Sequence, residues 1–180
     1  DLLQSYRGEV LRFALLSAHY RSPMNFSAEL LEQAETTLGS LYSTLRDVQD
    51  IELDVEVPLA DEPFYHALND DLNTPIAIAE LHALARQLHK ASAGERPVLK
   101  ARMLAAGNLL GILQQDPEAW MQGGAGGDAI SADAIEALIE ERHQAKLARD
   151  YARADEIRQE LLAQGVVLED SREGTKWRRQ

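Results

Sequence analysis

The chain closes on Arg142-His-Gln-Ala-Lys-Leu-Ala-Arg-Asp-Tyr-Ala-Arg-Ala-Asp-Glu-Ile-Arg158, then Gly165-Val-Val-Leu-Glu-Asp170, then Gly174-Thr-Lys-Trp-Arg-Arg-Gln180. Basic, acidic and aromatic side chains alternate here along what reads as helix followed by a β-hairpin. Asp150 or its neighbour separates two short helices, the second ending at Gly165. Val166–Leu168 and Thr175–Arg178 have strand composition, with Asp170 to Gly174 as the turn. From Glu141 to Gln180 nine Lys/Arg meet eight Asp/Glu, a net of +1. Residues 1–140 hold nine Lys/Arg and twenty-two Asp/Glu, a net of −13. That asymmetry points to an anionic partner at the C-terminal end.

Upstream, Gln122-Gly-Gly-Ala-Gly-Gly-Asp128 reads as a flexible linker. After it, Ser131 suits an N-cap, with Ile130 and Ile135 at hydrophobic-staple spacing. Before it the pattern is helical. Leu3, Val10, Leu11, Ala14, Leu15 and Ala18 recur at helical spacing until Ser22-Pro-Met-Asn25 breaks it. Ser27 can cap a helix that buries Leu30, Leu31, Ala34, Leu38, Leu41 and Leu45. Residues 47–63 hold seven acidic residues, no basic ones and two prolines, and read as a solvated loop. A short helix at 64–68 leads to Asp70-Asp-Leu-Asn-Thr-Pro75. There Thr74 suits an N-cap and Pro75 the first helical position, of a helix reaching about His89. Gly94 to Pro97 breaks the chain before a last helix from about Val98 to Leu113. The expected fold is mainly α: an up-and-down helical bundle, then a small α/β domain with a short β-hairpin. The expected boundaries are 1–22 for a leading segment, 23–121 for the bundle, 122–128 for the linker and 129–180 for the small domain.

Zero cysteines exclude disulfides, thiolate nucleophiles and Cys-ligated zinc. No apolar run approaches bilayer length and no signal peptide is visible. The chain starts at Asp1 in what reads as mid-helix, so an excised part of a longer protein is expected. A pI near 4.8 argues against indiscriminate nucleic-acid binding, so any such contact must be local. No Gly-rich phosphate loop, metal-ligand spacing or nucleophile–base pair is present, so no catalytic residue is assigned. The paired carboxylates Asp70 and Asp71 precede an N-cap, where the helix dipole favours negative charge. His82 and His89 lack a ligating third partner and read as surface histidines. His19-Tyr20-Arg21 reads as a helix end with a structural Arg pair.

Tyr151, Asp155 and Arg158 fall at i, i+4 and i+7, on one helical face beside the apolar stripe of Ala154, Ile157 and Leu161. One reading is an Asp155–Arg158 surface pair beside a half-buried Tyr. The other is an RNA-reading face. Aromatics stack on unpaired bases, a carboxylate accepts from guanine N1–H and N2–H, and Arg donates to base acceptors. Trp177 can anchor the small core or show a face to a base.

Three segments carry a family resemblance. Lys146-x-x-x-Asp150-Tyr151-x-x-Ala154-Asp155-x-x-Arg158, Gly165-hydrophobic-x-Leu168-x-Asp170 and Gly174-Thr-x-Trp177 together resemble the C-terminal end of bacterial cysteinyl-tRNA synthetases. Arg12-Phe-Ala-Leu-Leu-Ser-Ala-His-Tyr-Arg-Ser22 resembles the segment that follows their catalytic domain. Asp70-Asp-Leu-Asn-Thr-Pro75 resembles a motif of their helical bundle. The likeness spans the whole chain in the family's order. It implies a bundle of the class I synthetase anticodon-binding type, and a parent cysteine-tRNA ligase using ATP. It also implies that the nucleotide-binding signatures and the zinc site lie in a catalytic domain outside this chain. The chain itself would need no cofactor and be inactive alone. It would hold tRNA(Cys) and recognise its GCA anticodon for the catalytic domain in cis, as a cytoplasmic monomer with no membrane contact. Position by position, Lys146, Asp150, Tyr151, Asp155, Arg158, Asp170 and Trp177 are implied to touch the anticodon or shape that surface. Arg149, Arg153, Arg178, Arg12 and Arg21 would position the backbone. Two departures stand out. Lys146 replaces a common Arg and loses planar bidentate recognition. Tyr151 replaces a common Trp and keeps stacking with a smaller ring. A competing class is an acidic helical protein-interaction module, and a third is a degenerate synthetase paralogue.

Overall fold

The computed structural model describes residues 2–123, 130–171 and 174–179. The chain folds into two compact units, one up to Pro117 and one from Glu118 onward.

The first unit is helical. Helices α1 (Gly8–Leu16), α2 (Ala28–Arg46), α3 (Pro63–Asn69), α4 (Thr74–Lys90) and α5 (Arg96–Leu110) follow in order. α1 packs on α2, α2 on α4, α3 on α4 and α4 on α5. Ser27 caps α2 by accepting from the Leu30 N–H, and Leu31, Ala34, Leu38, Leu41 and Leu45 are buried as its 3.6-residue period demands.

Three local expectations shift. The leading helix is only nine residues long, and its buried stripe is Val10, Phe13 and Ala14. Leu3 and Leu15 are exposed instead. The cap of α4 is Asn73, whose side chain accepts from the Ile76 N–H. The Thr74 hydroxyl is used elsewhere: it donates to the Leu16 carbonyl at 2.7 Å, satisfying one orphan acceptor of α1. α5 stops at Leu110 because Gly111 takes the left-handed conformation that closes helices (φ 67°). The loop at 47–63 is mostly exposed, but Glu62 is buried and accepts from Arg102 Nε at 2.8 Å.

A half-buried carboxylate ties the unit together. Glu9 of α1 accepts from the Tyr42 hydroxyl at 3.0 Å and the Leu113 N–H at 2.6 Å. Burial, above all, pushes the Tyr42 hydroxyl well above its usual pKa. This fixes the turn after α5, where Leu113 itself sits at positive φ. Close approach also explains Gly107: a Cβ there would lie 2.9 Å from the Ile112 carbonyl oxygen.

The second unit opens with α6 (Pro117–Gln122), a turn of helix that the sequence pattern did not announce. The Gln122 carbonyl accepts from Arg179 Nε at 2.9 Å, linking α6 to the end of the chain. The glycine-rich linker falls largely on residues 124–129, outside the described residues. α7 (Ala132–Leu147) follows, capped by Ser131 as expected. α8 (Tyr151–Ala163) and the antiparallel strands β1 (Val166–Ser171) and β2 (Gly174–Arg179) complete the unit. The hairpin pairs Leu168 with Trp177 and Asp170 with Thr175. Of the turn expected from Asp170 to Gly174, Asp170, Ser171 and Gly174 belong to the strands, and residues 172 and 173 lie outside the described residues. The core is Ile135, Ile157, Leu161, Val166, Leu168 and Trp177, with Ile130, Leu138 and Ile139 packed against it.

Candidate nucleic-acid interface

The junction of α7 and α8 sets the site. α7 ends in a complete Schellman motif. The Asp150 N–H reaches back to the Ala145 carbonyl (2.9 Å) and the Arg149 N–H to the Lys146 carbonyl (3.1 Å). That motif needs a left-handed residue, usually Gly. Here Arg149 fills it at φ 61°. Asp150 then caps α8, accepting from the Arg153 N–H at 3.1 Å. Tyr151 is therefore the first residue of α8, and it is 65% exposed.

The named side chains sort into engaged and free. Asp170 is the most engaged. Arg142 Nη1 and Nη2 donate to its two oxygens at 2.8 Å each. The Thr175 hydroxyl adds a third bond at 2.7 Å and Lys146 Nζ a fourth at 3.2 Å. The bonds from Arg142, first of all, hold the Asp170 carboxyl far below the usual carboxylate range. Arg142 is in turn kept charged, mainly by its bonds to Asp170 and also by the fields of Asp170 and Asp155, against the pull of burial. Arg153 is also committed. It bonds Glu141 on α7 at 2.9 Å and Glu156 at 3.2 Å. Arg178 donates to Glu169 at 3.1 Å.

Asp155, Arg158, Tyr151 and Arg149 are exposed. Among the described residues, no hydrogen bond or ion pair joins Asp155 to Arg158, so the expected surface pair does not form. Trp177 resolves the other open choice. It is 1% exposed, in the core, with Nε1 donating to Glu136 at 2.6 Å. It presents no ring face to a base. The expectation that it touches the anticodon gives way to that of a core anchor, because the ring is packed in the cluster of Ile135, Ile157, Leu161, Val166 and Leu168.

In the first unit, Arg12 is exposed and its guanidinium lies close over Gly111. Arg21 belongs to a surface cluster. Its Nε donates to the Tyr20 hydroxyl at 2.7 Å, and its Nη2 lies 3.1 Å from Asp71. Tyr20 donates to Asp71 at 2.7 Å. The His19 and Tyr20 rings stack at 4.9 Å. Asp71 and Leu72 both sit at positive φ, a strained pair for residues other than Gly. Asp71 is thus engaged by His19, Tyr20 and Arg21. Among the described residues, no cluster of three His, Cys, Asp or Glu could hold a metal ion. None of the described helices is long and apolar enough to cross a membrane.

Sequence reasoning missed Arg142. It lies seven residues after Ile135 on the buried stripe of α7, and a cation at an apolar position demands a carboxylate partner. That was the available signal.

Known proteins share both units. Residues 63–114 match the DALR domain, and residues 131–178 match the cysteinyl-tRNA ligase anticodon binding domain. Over 180 residues, 99% of the chain, the sequence is 52% identical to the cysteine–tRNA ligase of Saccharophagus degradans. It is 49% identical to that of Xanthomonas campestris pv. campestris and 47% identical to that of Paramagnetospirillum magneticum. The chain spans 38–39% of the length of these relatives. The chain is therefore similar along its whole length to a part of cysteine–tRNA ligases, and it carries matches to both of these domains.

Proposed function

We propose that this chain binds tRNA(Cys) and reads its GCA anticodon, positioning the tRNA for a cysteine-tRNA ligase. Joining cysteine to tRNA with ATP would be the work of a catalytic domain in cis, which would also hold the zinc. The chain would need no cofactor for its own part. It would work in the cytoplasm, as a monomer in solution. The observation that carries this reading is the set of groups left free on α8. Tyr151, Asp155 and Arg158 share one face, are exposed, and are not consumed by one another. A ring, an acceptor and a fork-shaped donor are what unpaired bases require. Arg149 stands at the same edge as an exposed cation suited to phosphate. Lys146, Asp150 and Asp170 shape the adjoining surface, and Arg153 and Arg178 hold it through their carboxylate partners. Arg12 and Arg21 would touch the tRNA backbone from the bundle.

The test is a pair of anticodon stem–loops, one with GCA and one with a single base exchanged, titrated against the chain. Asp155→Asn keeps the shape and turns an acceptor into a donor. It should lower the preference for the cognate hairpin by roughly tenfold, the size of one good base contact. An unchanged preference in a folded variant removes Asp155 from the reading face. Indifference of the wild type to RNA would favour a protein-interaction module instead. ATP–pyrophosphate exchange with cysteine should stay at background for the chain alone.

A further inference from the structure

Among the described residues of the second unit, Arg142 is a buried cation whose partner lies on a different element and at the surface. Its guanidinium is stripped of water at a position where the period of α7 calls for an apolar side chain. It is tolerated because both Asp170 oxygens take a bond from it at 2.8 Å. With Thr175 and Lys146 added, four donors meet two oxygens, which fills the usual acceptor capacity of a carboxylate.

The four donors differ in what they can give up. Arg142 cannot leave without abandoning a buried charge. Thr175 is held beside Asp170 by the hairpin register. Lys146 is more accessible, makes the longest of the four bonds at 3.2 Å, and swings on a flexible stem. The same buried cation also sits in the field of Asp155, whose carboxylate is exposed.

We infer that Arg142 is a positioning residue of the RNA-reading face. From below, it locks Asp170 in one orientation, so that Lys146 is the donor an arriving RNA phosphate draws away, freeing Asp170 Oδ2 to accept from a base edge. This rests on the anticodon-reading function proposed above and adds the residue that preorganises it.

The experiment uses the whole 180-residue chain and three variants: Arg142→Met, Arg142→Lys and Lys146→Ala. Without RNA, the Asp170 carboxyl carbon is followed by NMR as pH falls. In the wild type it should show no step at about pH 4, the ordinary carboxylate value. In Arg142→Met a step should appear there. With RNA, the ratio of affinities for the GCA hairpin and its single-base variant should fall about tenfold in Arg142→Met. Arg142→Lys keeps a charge but loses the fork, and should lose about threefold of that ratio. Lys146→Ala should weaken both hairpins alike, flatten the salt dependence and keep the ratio. A wild-type step near pH 4, or an unchanged ratio in either folded Arg142 variant, overturns the inference. Should Arg142→Met fail to fold, the wild-type titration and Arg142→Lys still decide it. If the wild type does not distinguish the two hairpins, the proposed function fails, while the titration still reports whether Arg142 holds Asp170.

Discussion

In each unit a surface carboxylate gathers donors from neighbouring elements. Asp71 in the first unit takes the Tyr20 hydroxyl and Arg21, with His19 alongside. Asp170 in the second takes Arg142, Thr175 and Lys146. The two carboxylates are almost equally exposed, at 45% and 46%, but their arginines are not. The Arg21 side chain is 68% exposed and the Arg142 side chain 6%. An exposed pair is largely compensated by water when it breaks, and is worth about 0–1 kcal/mol. A buried cation has no such substitute. Similar sets of bonds therefore carry different weight, and the burial of one partner decides it. In the first unit the hub decorates a strained turn. In the second it fixes a strand to a helix.

The strongest way to break that contrast goes through the strand itself. Trp177 pairs with Leu168 across the hairpin and fills the core under Asp170. Trp177→Ala should cost about 3–5 kcal/mol, the range for removing a buried large aromatic. Amide exchange should rise throughout the second unit while the protected amides of α2 and α4 keep their rates. Equal loss of protection in both units would show that the second has no core of its own.

Next in size is the comparison of the hubs directly. Asp170→Ala should cost about 2–3 kcal/mol, because it strands a buried guanidinium, with Asp170's own exposure keeping it below the full buried-pair value. Asp71→Ala should cost no more than about 1 kcal/mol. Urea midpoints would give both. The sign of the pH dependence follows from the direction of the shift. Asp170 is held ionised in the folded state far below its unfolded value, so its stabilising effect is complete at neutral pH. It is lost as pH falls below about 4, where the unfolded chain takes up the proton first. The stability gap between wild type and Asp170→Asn should therefore narrow on acidification below that point. A gap that widens would mean that the carboxylate is not what Arg142 holds.

The helices of both units were legible because their causes are local. Ser27, Ser131 and Asp150 each stand one residue before a helix and accept from its third N–H. The apolar stripes obey a short period. What was not legible depends on distant partners. Arg142 and Asp170 are 28 residues apart, and only the packing of β1 against the helices brings them together. The same holds for Thr74, a good cap by composition, which instead serves the Leu16 carbonyl 58 residues away. Tyr151, Asp155 and Arg158 were found because a helical face can be counted. That Asp155 and Arg158 are not consumed by each other, and that Arg153 is taken by Glu141 of another helix, could not be counted.

The free groups should change binding without changing stability, which separates them from the hub they surround. Tyr151→Ala removes an exposed ring and should leave the urea midpoint unmoved. It should weaken the GCA hairpin by about 1–2 kcal/mol, within the range of a lost base–aromatic stack. Tyr151→Trp should match or exceed the wild type. A shift in midpoint as large as the loss in binding would make Tyr151 a packing residue.

The smallest effect is expected at Arg149, and there the sign matters more than the size. A residue with a Cβ held at φ 61° costs about 1 kcal/mol relative to one that adopts that conformation freely. Gly is the usual occupant of that position in a Schellman motif. Arg149→Gly relieves the strain but enlarges the unfolded ensemble. The net stabilisation should be about 0.5 kcal/mol, the difference between two terms of similar size. The structure offers no compensating contact, since among the described residues the Arg149 guanidinium has no carboxylate partner. If strain is kept there because the cation meets a phosphate beside Tyr151, the stabilised variant should bind both hairpins several-fold more weakly, with a shallower salt dependence. Arg149→Lys, which keeps charge and strain, should bind as the wild type does. If Arg149→Gly gains stability and loses no affinity, the left-handed arginine is a tolerated misfit in a helix stop, and only the α8 face meets the RNA.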